Sequence, residues 1–305
     1  MNTSKVTMTD LLRSSEHSNI LIPISLTFGI IAMIICCIIL ITVSLTKRLH
    51  TVIHLLISNA CVASIFYSIV QCNNYIYLLF ITWDTSDISC RWRGYFTYVS
   101  IAAFVYSYLL QSISRLFFAV LSIKYQWLLS FKTHFKLILI KWIIVFLLPL
   151  PSLLTKDISF RAGFLCWVPM RSKLHVGYTI VVYYLIPTVA VITIYIVIYV
   201  QIKRSGNNVC IQRKTMRQRQ KRDLQVLRNI MILFGIYIFA GTPTGVYILT
   251  SIELFYSIGI VCITLAITVE KLVLILLDRE IRNTIKNFII HRHCNFYLFM
   301  LKIIK

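Results

Sequence analysis

Residues 90–127 read CRWRGYFTYVSIAAFVYSYLLQSISRLFFAVLSIKYQW. The stretch opens on Cys90 and continues for about thirty mostly apolar residues, with a lone charge, Arg115, near its far end between Ser114 and Leu116. As a helix rising 1.5 Å per residue, Cys90 to Arg115 spans roughly 37 Å. A hydrocarbon core is about 30 Å thick, so a tilted helix sets the cysteine at one face and the arginine at the other. Two readings of Arg115 follow. It is a long side chain reaching back to the headgroups, or it is a switch residue at the mouth of a helix bundle. The remaining segments decide between them.

Of 305 residues, 58% are hydrophobic and 13% charged, and the mean hydropathy is +0.81. A soluble domain carries about 25% charged residues, so the solvent here is a bilayer. Seven apolar runs are long enough to span it: 20–46, 52–81, 90–122, 137–155, 175–202, 224–250 and 255–277. Backbone groups in lipid must be satisfied internally, and no alternating barrel pattern is present, so the runs are helices. Residues 279–290 set Ile281, Ile285, Phe288 and Ile289 against Arg282, Asn283 and Lys286, an amphipathic helix for the membrane surface. The expected fold is all-α: a polytopic seven-transmembrane helix bundle spanning 20–290, with a polar N-terminus at 1–19 and a tail at 291–305. The first run is too long for a signal-peptide core and reads as a span acting as its own signal.

Charge sets the expected orientation. The loops after spans one, three and five, with the tail, hold 20 basic residues and three acids; the opposite side holds eight and six. The positive-inside rule then puts the N-terminus outside the cell and the tail in the cytoplasm. The net charge of +21 is mostly a property of that inner face, where anionic lipid is the partner. Nucleic acid is not an expected partner. An outside N-terminus also makes Asn2, in Asn2-Thr3-Ser4, a candidate glycosylation site.

Nine cysteines are present. Those in apolar runs (Cys36, Cys37, Cys61, Cys262) read as small buried hydrophobes. Cys90 and Cys166 alone fall in outside segments, where the compartment is oxidising. Two free thiols are one reading of them. A bridge is the other; it would close a loop of about 75 residues and contribute roughly 4.5 kcal/mol in the chain-entropy model.

Seven spans with Cys90, Arg115 and Cys166 at these places resemble the rhodopsin-like (class A) G-protein-coupled receptors, over about residues 20–290. Thr51-Val52 through Asn59-Ala60-Cys61-Val62-Ala63 is similar to the second-helix signature, and Trp83 stands before Cys90 as in the family's first outer loop. Trp142 falls at the fourth-helix tryptophan. Pro187 followed by Tyr195 is similar to the fifth helix, Pro243 to the sixth-helix kink, and Asp278-Arg279-Glu280-Ile281-Arg282 to the start of an eighth helix. The resemblance implies a plasma-membrane receptor whose partners are an extracellular ligand and a heterotrimeric G protein. It implies a switch set of Arg115, Asp223, Tyr195, Pro187 and Pro243. In the family an acid at the start of helix six pairs with the switch arginine at rest. Arg115 would cost about 2.5–3.5 kcal/mol if left in the core, so a latch with Asp223 is one reading of that acid; offsetting Lys221 and Arg222 is the other.

The departures are specific. Ser64 replaces the sodium-binding aspartate, Cys36 the first-helix asparagine, and Ser114-Arg115-Leu116 the acid-Arg-Tyr triplet. Ala240-Gly241-Thr242-Pro243 lacks the aromatic beneath the ligand. Glu270-Lys271-Leu272-Val273-Leu274 stands where Asn-Pro-x-x-Tyr is expected. Adjacent helical residues point about 100° apart, so Glu270 and Lys271 need not pair; Lys271 is expected to snorkel. By resemblance the ligand wall is Asn74 and Tyr75, Thr97, Tyr98 and Ile101, Tyr183 and Tyr184, Thr244 and Ile248, and Thr264. Thr97 stands where amine receptors keep an acid, which points to a neutral small molecule or a peptide end. Ordinary helix packing is the other reading of each.

Cys294 is a candidate for palmitoylation; His291, His293 and Cys294 fit no standard zinc spacing, and no cofactor is expected. Glu270 is the one acid within a span and no histidine lies mid-span, so no catalytic constellation appears. A membrane transporter or channel is the rival class, although repeats and matched broken helices are missing. A non-signalling seven-helix protein also fits.

Overall fold

In the computed structural model, seven helices are long and apolar enough to cross a membrane. The structure describes residues 8–81, 86–121, 125–160, 165–169, 172–207, 213–250 and 252–288; for 8–20, 202, 204–207, 213–227, 229 and 253 it describes the backbone alone. The spans, numbered one to seven, are Leu21–Leu45, Val52–Leu79, Asp87–Leu121, Phe131–Leu154, Lys173–Gln201, Ile230–Thr250 and Leu254–Leu277. A shorter helix, 279–288, follows. Among the described residues there is no strand.

Local sequence explains where several helices start. The Thr51 hydroxyl accepts from the His54 N–H at the head of span two, and Ser130 accepts from the Thr133 N–H at the head of span four. Each cap contributes about 1 kcal/mol. Ser130 starts span four six residues before the apolar run begins and draws Lys132 and Lys136 into its first turns. Asp278 accepts from the N–H groups of Glu280 and Ile281 and so starts the terminal helix. Ile281 and Ile285 of that helix pack on the lower core, while Phe288 stays exposed. The helices of spans one and six run longer than the apolar pattern predicts, from Met8 and from Arg213.

Span four shows which solvent the bundle is built for. His134, Ile138, Lys141 and Val145 face inward, and Lys141 is only 5% exposed. Phe135, Leu139, Ile143 and Leu147 face outward, with Ile143 60% exposed. A water-soluble helix has the opposite arrangement; here the apolar side meets lipid. The Lys141 ammonium lies 4.0 Å from the Trp142 ring centroid, a cation–π contact strengthened by desolvation.

Span three is the hub and contacts spans two, four, five and six; span seven closes the ring between six and one. The Cys90–Cys166 disulfide joins the start of span three to the segment after span four, with the two Cα atoms 5.3 Å apart. That segment passes so close to span three that Gly94 is required. A Cβ there would lie 2.6 Å from the Cys166 carbonyl oxygen and 2.7 Å from Ile158 Cγ2. The carbonyl belongs to a cross-linked backbone and has little freedom to yield. Gly94→Ala is therefore expected to destabilise the protein by about 1–3 kcal/mol, read as a lowered unfolding temperature of the purified chain.

Candidate functional site

The two ends of the bundle differ in character. At the disulfide end, a cavity of about 160 Å³ lies among spans two, three, five, six and seven. Residues 165–169 cross it as a lid, and Leu165, Trp167, Val168 and Pro169 form part of its wall. Three attachments hold this lid. The Leu165 N–H donates to the Tyr256 hydroxyl of span seven (2.9 Å). Cys166 is bonded to Cys90. The Val168 N–H donates to the Tyr98 hydroxyl of span three (3.2 Å). Nearer span five, Asp157 pairs with His175 Nδ1 at 2.9 Å and accepts from the Ser172 hydroxyl. The Thr155 hydroxyl, with His175 and Ser172 beside it, holds the Asp157 carboxyl below the usual carboxylate range.

Five residues expected at a ligand wall line this cavity: Tyr75, Tyr98, Ile101, Thr244 and Ile248. The other five lie behind it and have packing partners. Asn74 donates to the Thr97 hydroxyl at 2.8 Å, joining spans two and three. Thr264 sits 3.4 Å from the Tyr75 hydroxyl. Tyr183 packs its ring 5.6 Å from that of Tyr98. The Tyr184 hydroxyl donates to the Ile238 carbonyl of span six at 3.1 Å. Other wall residues escape the sequence reading, among them Tyr67, Gln71, Tyr247 and Tyr256. Tyr67, Gln71 and Tyr75 recur every fourth residue and share a helix face, a signal sufficient to find the first two.

Two of the prolines within the spans, Pro187 and Pro243, stand next to these contacts. Proline has no N–H to give the carbonyl four residues back, here those of Tyr183 and Phe239, and in each helix it is the carbonyl one residue earlier that takes a side-chain donor. Before Pro187 the helix widens into a π turn, Val181–Leu185, and the Val182 carbonyl accepts from the Tyr106 hydroxyl of span three at 3.1 Å. Before Pro243 the Ile238 carbonyl accepts from both Tyr184 and the Thr242 hydroxyl.

Below the cavity lies a sealed polar node. Lys271 is fully buried, and its ammonium donates to Glu270 Oε1 at 2.7 Å. The expected snorkelling does not occur, and the two neighbours do pair. Lys271 points toward the Phe104 ring of span three (5.6 Å to its centroid) and lies within electrostatic range of Cys36 and Cys61, whose thiols face each other across spans one and two. Ser64 is fully buried as well, its hydroxyl held by the Ala60 carbonyl.

At the opposite end Arg115 is 6% exposed, with its guanidinium carbon 5.9 Å from the Phe118 ring centroid. Its neighbour Ser114 hydrogen-bonds His134 of span four at 2.8 Å. Further in, the Trp142 N–H donates to Asn59, and Asn59 donates to the Ser107 hydroxyl, joining spans two, three and four. Tyr195 is half-buried on span five. Asp223 lies in the helix Arg213–Thr250, with its side chain outside the described residues, as are Asn2, Trp83 and Cys294.

A covered cavity lies at one end of the bundle and a buried arginine at the other, and span three contributes to both through Tyr98, Ile101 and Arg115. The chain matches the family model for 7 transmembrane receptors (rhodopsin family) over residues 35–277. No curated protein matches it. The chain is a multi-pass membrane protein and belongs to the rhodopsin family of seven-transmembrane receptors.

Proposed function

We propose that this receptor sits in the plasma membrane with its N-terminus and disulfide end outside, binds a neutral small molecule in the lidded cavity, and promotes nucleotide exchange on a heterotrimeric G protein at the Arg115 end. The observation that carries the reading is the cavity, which has no acidic or basic side chain among the described residues of its wall and is covered by a cross-linked loop. A space of about 160 Å³ suits a small molecule better than a peptide end. In this orientation Asn2 is outside, while the basic stretch 203–228, the tail 291–305 and Cys294 face the cytoplasm and its anionic lipid. The stretch 203–228 then forms part of the docking face for the G protein. Arg115 and Asp223 form a latch that holds helix six in place at rest, so ligand and G protein bias one two-state element from opposite ends.

The test is a G-protein biosensor assay in cells expressing the full chain, at matched surface levels. Arg115→Ala is expected to abolish coupling, and Asp223→Asn to raise the basal signal. A transporter or channel would be indifferent to the first change. An unchanged basal signal in the second would reject the latch while leaving the receptor reading intact.

A further inference from the structure

The chemistry of the cavity wall narrows what it takes, on the reading that this is the receptor's ligand site. We infer that the occupant is an uncharged molecule the size of one substituted aromatic ring, with a neutral hydrogen-bond donor that pairs with the Gln71 amide.

Size comes first. A volume of about 160 Å³ is close to that of an engineered apolar cavity of about 150 Å³ that takes benzene. Charge comes second. Among the described residues the wall has no carboxylate to compensate a cation and no basic group to compensate an anion, so an ion entering from water finds no compensating charge on them.

Polarity comes third, and it singles out one residue. The wall is rich in tyrosine, but several of those hydroxyls already have partners: Tyr98 with the Val168 N–H, Tyr256 with the Leu165 N–H, and Tyr75 with Thr264. They hold the lid and the helices together. Gln71 differs. It is 2% exposed, it lines the cavity, and its carbonyl oxygen has no hydrogen-bond donor. A water-sized molecule cannot touch that oxygen, so solvent does not satisfy it. A ligand O–H or N–H that draws the amide toward the cavity does, and the destabilisation of an unmade hydrogen bond is recovered as affinity. In the lid, the Trp167 indole N–H is likewise buried without an acceptor. A group that donates and accepts, such as an alcohol or an amide, can use both.

The experiment measures binding of three single-ring probes to the full chain in lipid nanodiscs, by thermal stabilisation: benzyl alcohol, its apolar isostere ethylbenzene, and benzyltrimethylammonium. After correction for partition into lipid, benzyl alcohol is expected to bind about ten-fold tighter than ethylbenzene. That ratio should fall to near one in Gln71→Leu, or in Gln71→Met if the first variant does not fold. Trp167→Phe should leave the larger part of it. A ratio unchanged by the Gln71 substitutions, tighter binding of the ammonium probe through the aromatic faces, or no binding of either neutral probe would each overturn the inference. The outcome is separable from the receptor reading. Arg115→Ala should bind the probes normally while failing to couple, and probe binding by a chain that never couples would remove the receptor reading alone.

Discussion

Lys271→Met is expected to destabilise the bundle by about 3–5 kcal/mol, the range for removing one partner of a buried ion pair. The physical reason lies in what remains. Glu270 is 3% exposed, and its Oε1 takes its hydrogen bond from the Lys271 ammonium at 2.7 Å, while its Oε2 has no hydrogen-bond partner. Methionine fills the space of the lysine stem, so packing against Phe104 survives and the loss is electrostatic. The carboxylate is left charged in a low-dielectric interior, or it takes up a proton, and either state lies above the paired one. Glu270→Gln should be harmful for the mirror-image reason, since it strands the ammonium. The decisive variant is the double one. Replacing both residues with a neutral pair of similar volume, Glu270→Gln with Lys271→Met, is expected to recover most of the loss, because a buried pair contributes little net stability beyond a well-packed neutral substitute. Thermal unfolding of the four purified proteins gives the coupling directly. Additive losses in the double variant would show that the two charges act separately. The consequence for signalling is also measurable. The node lies between the cavity above and Arg115 below and touches span three, so the double variant should fold yet show an altered basal G-protein signal.

This pair also marks a boundary of what the sequence makes readable. The spans are legible because lipid imposes one rule on every residue of a long run, and hydropathy reports that rule without reference to neighbours. The disulfide end and Arg115 are legible because a fixed helical rise converts the distance from Cys90 to Arg115 into depth in the membrane. Glu270 and Lys271 are misread because the angle between adjacent helix positions describes Cβ directions and ignores the reach of long side chains. When Phe104 and the neighbouring spans exclude water from both, the chains bend toward each other. Half of the expected ligand wall lines the cavity for a related reason. Spacing tells that Asn74, Thr97 and Thr264 face inward, but not that they use their polar groups on other helices. The lid, Leu165 to Pro169, has no periodicity to read, and its path is set by tertiary hydrogen bonds that its backbone N–H groups donate to Tyr98 and Tyr256. Gln71 lies four residues before Tyr75 on the same helix face, and that repeat is enough to place it at the cavity.

Loss of the Cys90–Cys166 bond is the second large effect expected. The bond joins residues 76 apart in sequence, and removing it frees the unfolded chain by an amount worth about 4.5 kcal/mol in the chain-entropy model. The native state suffers too. Without the bond, the lid at the cavity mouth retains its hydrogen bonds to Tyr256 and Tyr98, and each such neutral bond contributes only about 1 kcal/mol net. Cys90→Ser, Cys166→Ser and the double variant should therefore lose the same stability, since each abolishes one shared bond. Surface display and probe binding should fall together, because the lid is both a wall of the cavity and the loop that the bond closes. Both cysteines are buried, so a competing account exists in which each contributes only its own packing. That account predicts additive losses and a double variant about twice as damaged as either single one. Unfolding temperatures of the three variants, with and without a thiol reductant, separate the two. Under the shared-bond account reductant lowers the native protein to the level of the variants and leaves the variants where they were.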